Sequence, residues 1–355
     1  MNRKRGPSWK KVTLIALNCV LGIMLLALVI GTVFVEVRLG GLQYDPNDRG
    51  TLSDAEKEAI QNDMQGSTLD PDTNVEGRDE IDLELPSLID TDHNHIFNFL
   101  LVGQDRLPGE KRARSDSMIL VTVNTETKTI TMTSIMRDMY VKIPDYRDNR
   151  INVAYNLDGI ELLYKTIETN FGLRLDQFVE VDFNGFEKVI DLVGGVDVEL
   201  TEQEARHLNN NEDYYGFPQE SWNLKPGMNH LNGKQALAHS RNRSVDGTGD
   251  FSRTNRQRTV MTSLIEKIKT LSWGQLYNLL MIVTDPDDRM ITTDMSSNDI
   301  LAYAYTFYSM LDEMQIVNQR IPIDGSYRFA SVENVGEVLI PDLKKNRDFL
   351  LLTQQ

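Results

Sequence analysis

Between Val12 and Val35 the chain runs for 24 residues without a charge ("VTLIALNCVLGIMLLALVIGTVFV"). No other stretch limits what the chain can fold into as much. At helical rise it reaches about 36 Å, enough to cross a hydrocarbon core of about 30 Å with some tilt. It exceeds the apolar region of a secretory leader and shows no convincing small-x-small cleavage site, so it is expected to persist as a signal anchor. Arg3, Lys4, Arg5, Lys10 and Lys11 precede it with no acidic residue among them. The positive-inside tendency then places residues 1–11 in the cytoplasm, 12–35 in the cell membrane as a single pass, and the remainder outside. The sole cysteine, Cys19, falls within this span, so the exported part has no internal disulfide and depends on its apolar core.

Residues 36–92 read as an acidic spacer: 45–92 alone carry 15 acidic and 3 basic side chains. Within it, "TLSDAEKEAI" has Ser53 and Glu56 spaced as a capping box, which predicts the start of a short helix. His93 and His95 in "DHNH" lack a third ligand and predict no metal site. From residue 93 to 355 the texture is that of one folded domain. "IFNFLLVG", "MILVTVN" and "TITMTSIM" are strand-length apolar runs, whereas "LDGIELLYKTIETNFG" reads as a helix with Leu162, Leu163, Ile167 and Phe171 on one side. Alternation of this kind continues to "QIVNQRIPI" and predicts an α/β fold, a layered α-β-α sandwich around a central mixed sheet, preceded by one N-terminal transmembrane helix.

The formal net charge of −16 argues against nonspecific nucleic-acid or anionic-lipid binding as the main activity. Against that background, "HSRNRSVDGTGDFSRTNRQR" gathers five of the 22 arginines into 20 residues and contains no lysine. The planar guanidinium fork suits bidentate contact with phosphate, so the cluster predicts a pocket for a particular anion. Arg253 to Thr270 forms an amphipathic helical pattern whose inward stripe is Val260, Leu264, Ile265 and Ile268. Gln257 falls in line with that stripe and Arg253 at its edge, while Arg256 and Arg258 point to either side. Arg241 and Arg243 follow a short predicted helix, and spacing i, i+2 in extended chain would aim both the same way.

A second charged cluster lies upstream. Asp105 follows one predicted strand; Arg114 and Asp116 lead into the next; Arg137 closes a third. Two aspartates at one sheet end would suit Mg²⁺ or Mn²⁺ with phosphate oxygens in the remaining positions. Any one such residue is more commonly a turn former or a solvated charge, and convergence of several elements is what favours a site. No G-x-S-x-G, H-E-x-x-H or P-loop is present.

The chain resembles the LytR-CpsA-Psr family of bacterial envelope proteins over roughly Phe97 to Thr270. The resemblance rests on "FLLVGQDR", "RSDSMILVTVN", "SIMRDMYVKIP", "RINVAYNLDG", "VDFNGFEKVIDLVGGVDVEL", "LNGKQALAHSRNR" and "DFSRTNRQR", in the family's order. It implies a transferase that moves an anionic glycopolymer, of teichoic acid or capsular type, from a polyprenyl-pyrophosphate carrier to peptidoglycan. By the same resemblance, Asp105 and Asp116 match metal-associated positions, and Arg114, Arg137, Arg241, Arg243, Arg253 and Gln257 match positions at the pyrophosphate. Asp116, Arg137, Arg241 and Arg243 are the residues expected to matter most for the chemistry, and Asp250 is a further family position near the site. Met136 stands where the family usually has proline, and the family usually has an aromatic residue near His239. The polyprenyl tail needs an apolar tunnel, for which helix 157–171 is a candidate wall. Other envelope-synthesis proteins are expected as partners, and the alternatives are a hydrolase cleaving the same pyrophosphate and a noncatalytic membrane-anchored regulator of envelope metabolism.

Overall fold

The computed structural model describes residues 52–62, 95–105, 114–210, 222–243, 245, 249–283, 285 and 290–352, excluding the side chains of Asp105, Arg114 and Ser297. The expected membrane span and most of the expected spacer lie outside these residues. Among the described residues, no helix is long and apolar enough to cross a membrane.

Helix α1 (Asp54–Gln61) begins at the capping box read from the sequence: Ser53 Oγ accepts from the Glu56 amide while the Glu56 carboxylate accepts from the Ser53 amide. It does not hang free as part of a spacer. Ile60 packs on the main core, and the Asn149 side chain donates to the Gln61 carbonyl at 2.8 Å. A domain beginning at residue 93 therefore omits a helix that docks on it.

Strands β1 (Ile96–Asp105), β2 (Arg114–Asn124) and β3 (Thr129–Ile135) form an antiparallel meander. The short pair β4 (Tyr140–Val141) and β5 (Asn149–Arg150) leads into helix α2 (Ile151–Phe171). Left-handed Gly172 caps α2, and Asp158 and Gly159 break its regular geometry. This crossover returns the chain to β6 (Gln177–Asp182), parallel to β1. Helix α3 (Phe183–Leu192), β7 (Val196–Leu200), α4 (Glu202–Asn210), β8 (Gly227–Leu231), α5 (Gly233–Arg241) and α6 (Asp250–Lys269) follow. After them come α7 (Trp273–Val283), β9 (Ile291–Thr293), α8 (Ser297–Tyr308), β10 (Gln315–Ile321), the hairpin β11 (Tyr327–Val332) and β12 (Gly336–Pro341), and α9 (Leu343–Leu352).

The central sheet has the order β10-β3-β2-β1-β6-β9, with β10 parallel to β3 and β9 antiparallel to β6, so it is mixed. Strand periodicity divides its two faces. Leu100, Val102, Met118 and Leu120 pack with Leu163, Ile167 and Phe171 of α2. Phe99, Ile119, Val123 and Met132 pack with Tyr303 and Phe307 of α8 and Ile265 of α6. Helices on both faces make a three-layer α-β-α sandwich. A further apolar cluster joins α3, β7, α4, α5 and α6, with Val260 and Leu264 supplying the inward stripe expected of α6. Here two helices meet closely: a Cβ on Gly233 would lie 2.2 Å from the Glu187 carbonyl oxygen, so α5 reaches α3 only because residue 233 lacks a side chain.

Candidate functional site

Parallel β1 and β6 end at the same edge of the sheet, where Gln104 pairs with Asp182. Ligands favour the space beyond such carboxyl ends. There the β1–β2 ladder shifts register: Gly103 pairs with Ser117 but Gln104 with Ser115. Asp116 is the extra residue of this bulge, lying within β2 and without a partner across the ladder. Asp105 and Arg114 pair by backbone at the strand ends, one step beyond Gln104–Ser115.

Around Asp116 the fold assembles an ionic cluster from three chain segments. Arg137, two residues after β3, donates from Nη1 to Asp116 Oδ1 at 2.7 Å, and its Nε lies 3.3 Å from Asp250. Arg253, one turn into α6, binds Asp250 at 2.8 Å and donates to the Asp116 backbone carbonyl at 3.1 Å. Arg243 lies 3.5 Å from Asp116 and 3.8 Å from Asp250. Beneath them, buried Asp138 sits 3.8 Å from Arg137 and 3.5 Å from Arg150. The start of α6 at Asp250 adds the positive end of its dipole.

These contacts set the protonation states. Burial pushes the Asp116 carboxyl upward, but Arg137, Arg253 and Arg243 outweigh it and hold the pKa at about 2. Burial pulls the Arg253 guanidinium down to about 10, leaving it charged at neutral pH. For Arg137, burial is overcome by Asp250, Asp138 and Asp116, which raise its pKa. Burial raises that of Asp138. With Arg241, five guanidinia accompany three carboxylates, so positive charge exceeds negative at the site.

The cluster caps one end of a cavity of about 540 Å³ between the sheet and helices α3, α5 and α6. Asp116, Ser117, Arg241, Arg243, Arg253 and Gln257 line its charged end. Leu101, Val181, Phe186, Val189, Leu237, Met261 and Leu264 form apolar walls. Along α6, residues 253, 257, 261 and 264 follow one face, so a single helix carries the lining from arginine to leucine over about 16 Å. Helix 157–171 is not a wall: it packs on the opposite face of the sheet.

The sequence expectations map onto this arrangement unevenly. Asp116, Arg137, Arg243, Asp250 and Arg253 come together. Gln257 lines the cavity and accepts from Ser117 Oγ at 3.1 Å. Arg241 ends α5, and Asn242 in extended conformation separates it from Arg243. Its guanidinium lies over the Phe183 ring, 4.6 Å from the centroid. Arg256 and Arg258 do leave the inward stripe, but both are buried: Arg256 binds Glu204 at 2.6 Å and the Asn242 carbonyl at 3.0 Å, and Arg258 donates to Ser134. Met136 is fully buried in the main core. Asp138, Arg150, Ser117 and Phe183 were not indicated by the sequence pattern. Only the adjacency of Asp138 to Arg137 could have drawn attention to it.

Among the described residues no group of three acidic, histidine or cysteine side chains gathers as a metal cage. A site completed by phosphate needs fewer. Asp116 is a hard oxygen donor at the cavity, and its Oδ2 has Arg243 no nearer than 3.5 Å. Position 105 ends the neighbouring strand, paired by backbone with Arg114, two residues before Asp116. This donor chemistry fits Mg²⁺ or Mn²⁺ held by one or two carboxylates.

The family model described as LytR_cpsA_psr matches residues 53–346. The polyisoprenyl-teichoic acid–peptidoglycan teichoic acid transferase TagU of Bacillus licheniformis is 36% identical over 261 residues, covering 73% of this chain and 81% of that protein. Regulatory protein MsrR of Staphylococcus aureus is 30% identical over 264 residues, covering 71% and 74%. Among solved structures, TagT bound to LIIa-WTA is similar with a TM-score of 0.59 and 26% identity, covering 74% of this chain and 90% of that one.

Proposed function

The chain belongs to the LytR-CpsA-Psr family, and from that premise we propose that it is a membrane-anchored glycopolymer transferase of the bacterial envelope. Its donor is an anionic glycopolymer on polyprenyl pyrophosphate, its acceptor a sugar hydroxyl of peptidoglycan, and its product a phosphodiester. One observation carries this reading: an apolar cavity closed at one end by arginines. A ligand complementary to both parts has a long hydrocarbon tail and a strongly anionic head. The transferase relative from B. licheniformis supports the same substrate class.

In this reading the polyprenyl chain occupies the walls formed by Val189, Leu237, Met261 and Leu264. Arg241, Arg243, Arg253 and Gln257 hold the pyrophosphate, and Arg114, which begins β2, joins them by the family resemblance alone. Arg137 orients Asp116, and Asp250 orients Arg253. The guanidinia reduce the repulsion that shields a pyrophosphate diester from a nucleophile and stabilise the departing polyprenyl phosphate. The acceptor oxygen forms its bond to the phosphorus nearest the glycan as the bond to the bridging oxygen breaks, and the hydroxyl proton is balanced on the departing polyprenyl phosphate. A divalent ion held by Asp116 and Asp105 would add Lewis-acid stabilisation of the phosphate oxygens.

The test supplies the full chain with Mg²⁺, a polyprenyl-pyrophosphate oligosaccharide labelled in its sugar, and peptidoglycan oligomers. Transfer predicts label joined to peptidoglycan through phosphate, absent with Arg241→Ala. Release of free sugar phosphate alone would replace transfer with hydrolysis. Intact lipid with every envelope glycan and both metals would leave a noncatalytic regulator.

A further inference from the structure

Helix α7 poses a packing problem. "WGQLYNLLMIV" contains no charged residue, yet none of its residues is buried. Trp273 is 49% and Tyr277 45% exposed, and on α8 Tyr305 is 73% and Tyr308 40% exposed. The Trp273 and Tyr308 rings meet edge to face at 5.0 Å, joining the two helices into one aromatic surface. The inner side of α8 is satisfied, since Tyr303 and Phe307 pack edge-on against Phe99. The outer side is an extended apolar face of the kind that soluble domains seldom leave bare.

Position, chemistry and charge identify what covers it. The apolar cluster that includes Leu264 at the cavity continues through Ile268 and Leu271 to Leu279 of α7. Helix α7 therefore follows on from the end of α6 that carries the apolar part of the lining, away from the arginines at its start. One tryptophan and three tyrosines are side chains that settle at a membrane–water interface, ring in the hydrocarbon boundary and polar tip in the headgroups. The chain as a whole carries −16, but residues 270–283 carry no charge and α8 carries a single acid, Asp299 in its first turn, so this face meets little of the repulsion an acidic body meets at an anionic membrane. Between the apolar segment ending at Val35 and the helix cap at Ser53 lie 17 residues. Extended, they reach about 60 Å, which lets a tethered domain of this size turn any face to the bilayer.

We propose that the face formed by α7 and α8 seats on the lipid bilayer, with its aromatic rings at headgroup level. The apolar end of the cavity then adjoins the lipid phase, and the arginine cluster stands about 16 Å farther out. Seating on the bilayer stands on the surface itself; entry of a polyprenyl tail by this end rests on the transferase reading.

The test uses the full chain in nanodiscs holding one copy each, with Trp9→Phe and Trp222→Phe so that Trp273 is the sole tryptophan. Discs are built from phosphatidylcholine and phosphatidylglycerol, either plain or brominated on the acyl chain. Seating predicts that brominated lipid quenches Trp273 emission by half or more. Tyr277→Asp with Tyr305→Asp should abolish the quenching without lowering the melting temperature, because both side chains are exposed. Emission indifferent to bromine overturns the proposal. If it is also blue-shifted, the N-terminal segment covers the face; if it shifts only when discs hold two copies, a second chain does. The double variant should also lose turnover of long-chain carrier in bilayers while keeping it in detergent. Quenching without transfer in either medium would reject the transferase reading and leave seating intact.

Discussion

Arg137 serves two carboxylates at once, and that defines what its loss would cost. Its Nη1 binds Asp116 and its Nε faces Asp250, with the side chain almost wholly buried. Arg137→Ala would remove the 2.7 Å partner of Asp116 and leave Asp250 to Arg253 and Arg243 in a poorly solvated place, and should lower stability by about 3 kcal/mol, read by denaturant unfolding. Arg137→Lys keeps the charge but not the two-sided fork, so it should recover part of the stability and little of the proposed transfer activity. A second prediction concerns pH. Burial holds the His239 imidazole down at about 4, against the upward pull of Glu204. An imidazole that protonates more readily unfolded than folded supports the fold fully above 6.5 and loses that support as pH falls toward 4. His239→Phe should flatten the fall in melting temperature across this window. The acid limb governed by Asp116 lies lower, between 3.8 and about 2, and should remain.

At the scale of elements, α6 does the most to unify the site. Its first turn supplies Asp250 and Arg253, its middle Gln257, and its later turns Met261 and Leu264. Met261→Trp or Leu264→Trp should fill the apolar part of the cavity and leave the charged end open. Binding of a long-chain polyprenyl pyrophosphate should then fall steeply while binding of inorganic pyrophosphate persists, both measured by calorimetry. Much of α6 was legible beforehand, because helical period alone places Val260 and Leu264 inward and Gln257 in line with them. The partner of Gln257 was not, since Ser117 lies 140 positions away and meets it only through the tertiary fold. The same limit explains the misplaced tunnel wall. The apolar pattern of 157–171 shows that it packs, but the side of the sheet it packs on depends on the crossover from β5 to β6. Arg256 and Arg258 illustrate the converse: a polar position on a helical wheel says nothing of whether another helix or strand will bury it. Arg256 reaches the Asn242 carbonyl and so steadies the peptide between Arg241 and Arg243.

Across the whole molecule, the two sides of the sheet have different contents. The α2 side is a continuous packed core, whereas the opposite side contains both packed apolar residues and the cavity. Amides of α2 should therefore exchange with solvent slowly and those of α7, none of whose residues is fully buried, rapidly in detergent-free solution. Mass-resolved hydrogen exchange on the full chain checks this, and the proposed seating on lipid should slow α7 selectively. The layered α/β class could be inferred from the order of strand and helix patterns. The strand order could not, because β6 joins β1 and β10 joins β3 through contacts that local sequence does not encode.

The register shift at Asp116 has a consequence for how such a site can change. Asp116 and Ser117 are consecutive, yet both line the cavity, while Met118 turns to the core beneath. A regular strand sends neighbours to opposite sides, so the shift acts as a change of parity written into the chain. Substitution alters which group stands at the cavity but cannot alter that parity. Deleting Asp116, the single residue between Ser115 and Ser117, would leave Gln104–Ser115 and Gly103–Ser117 as consecutive pairs of a regular ladder, and no side chain from the deleted position would reach the cavity. The carboxylate is therefore fixed by a count of residues as much as by its identity.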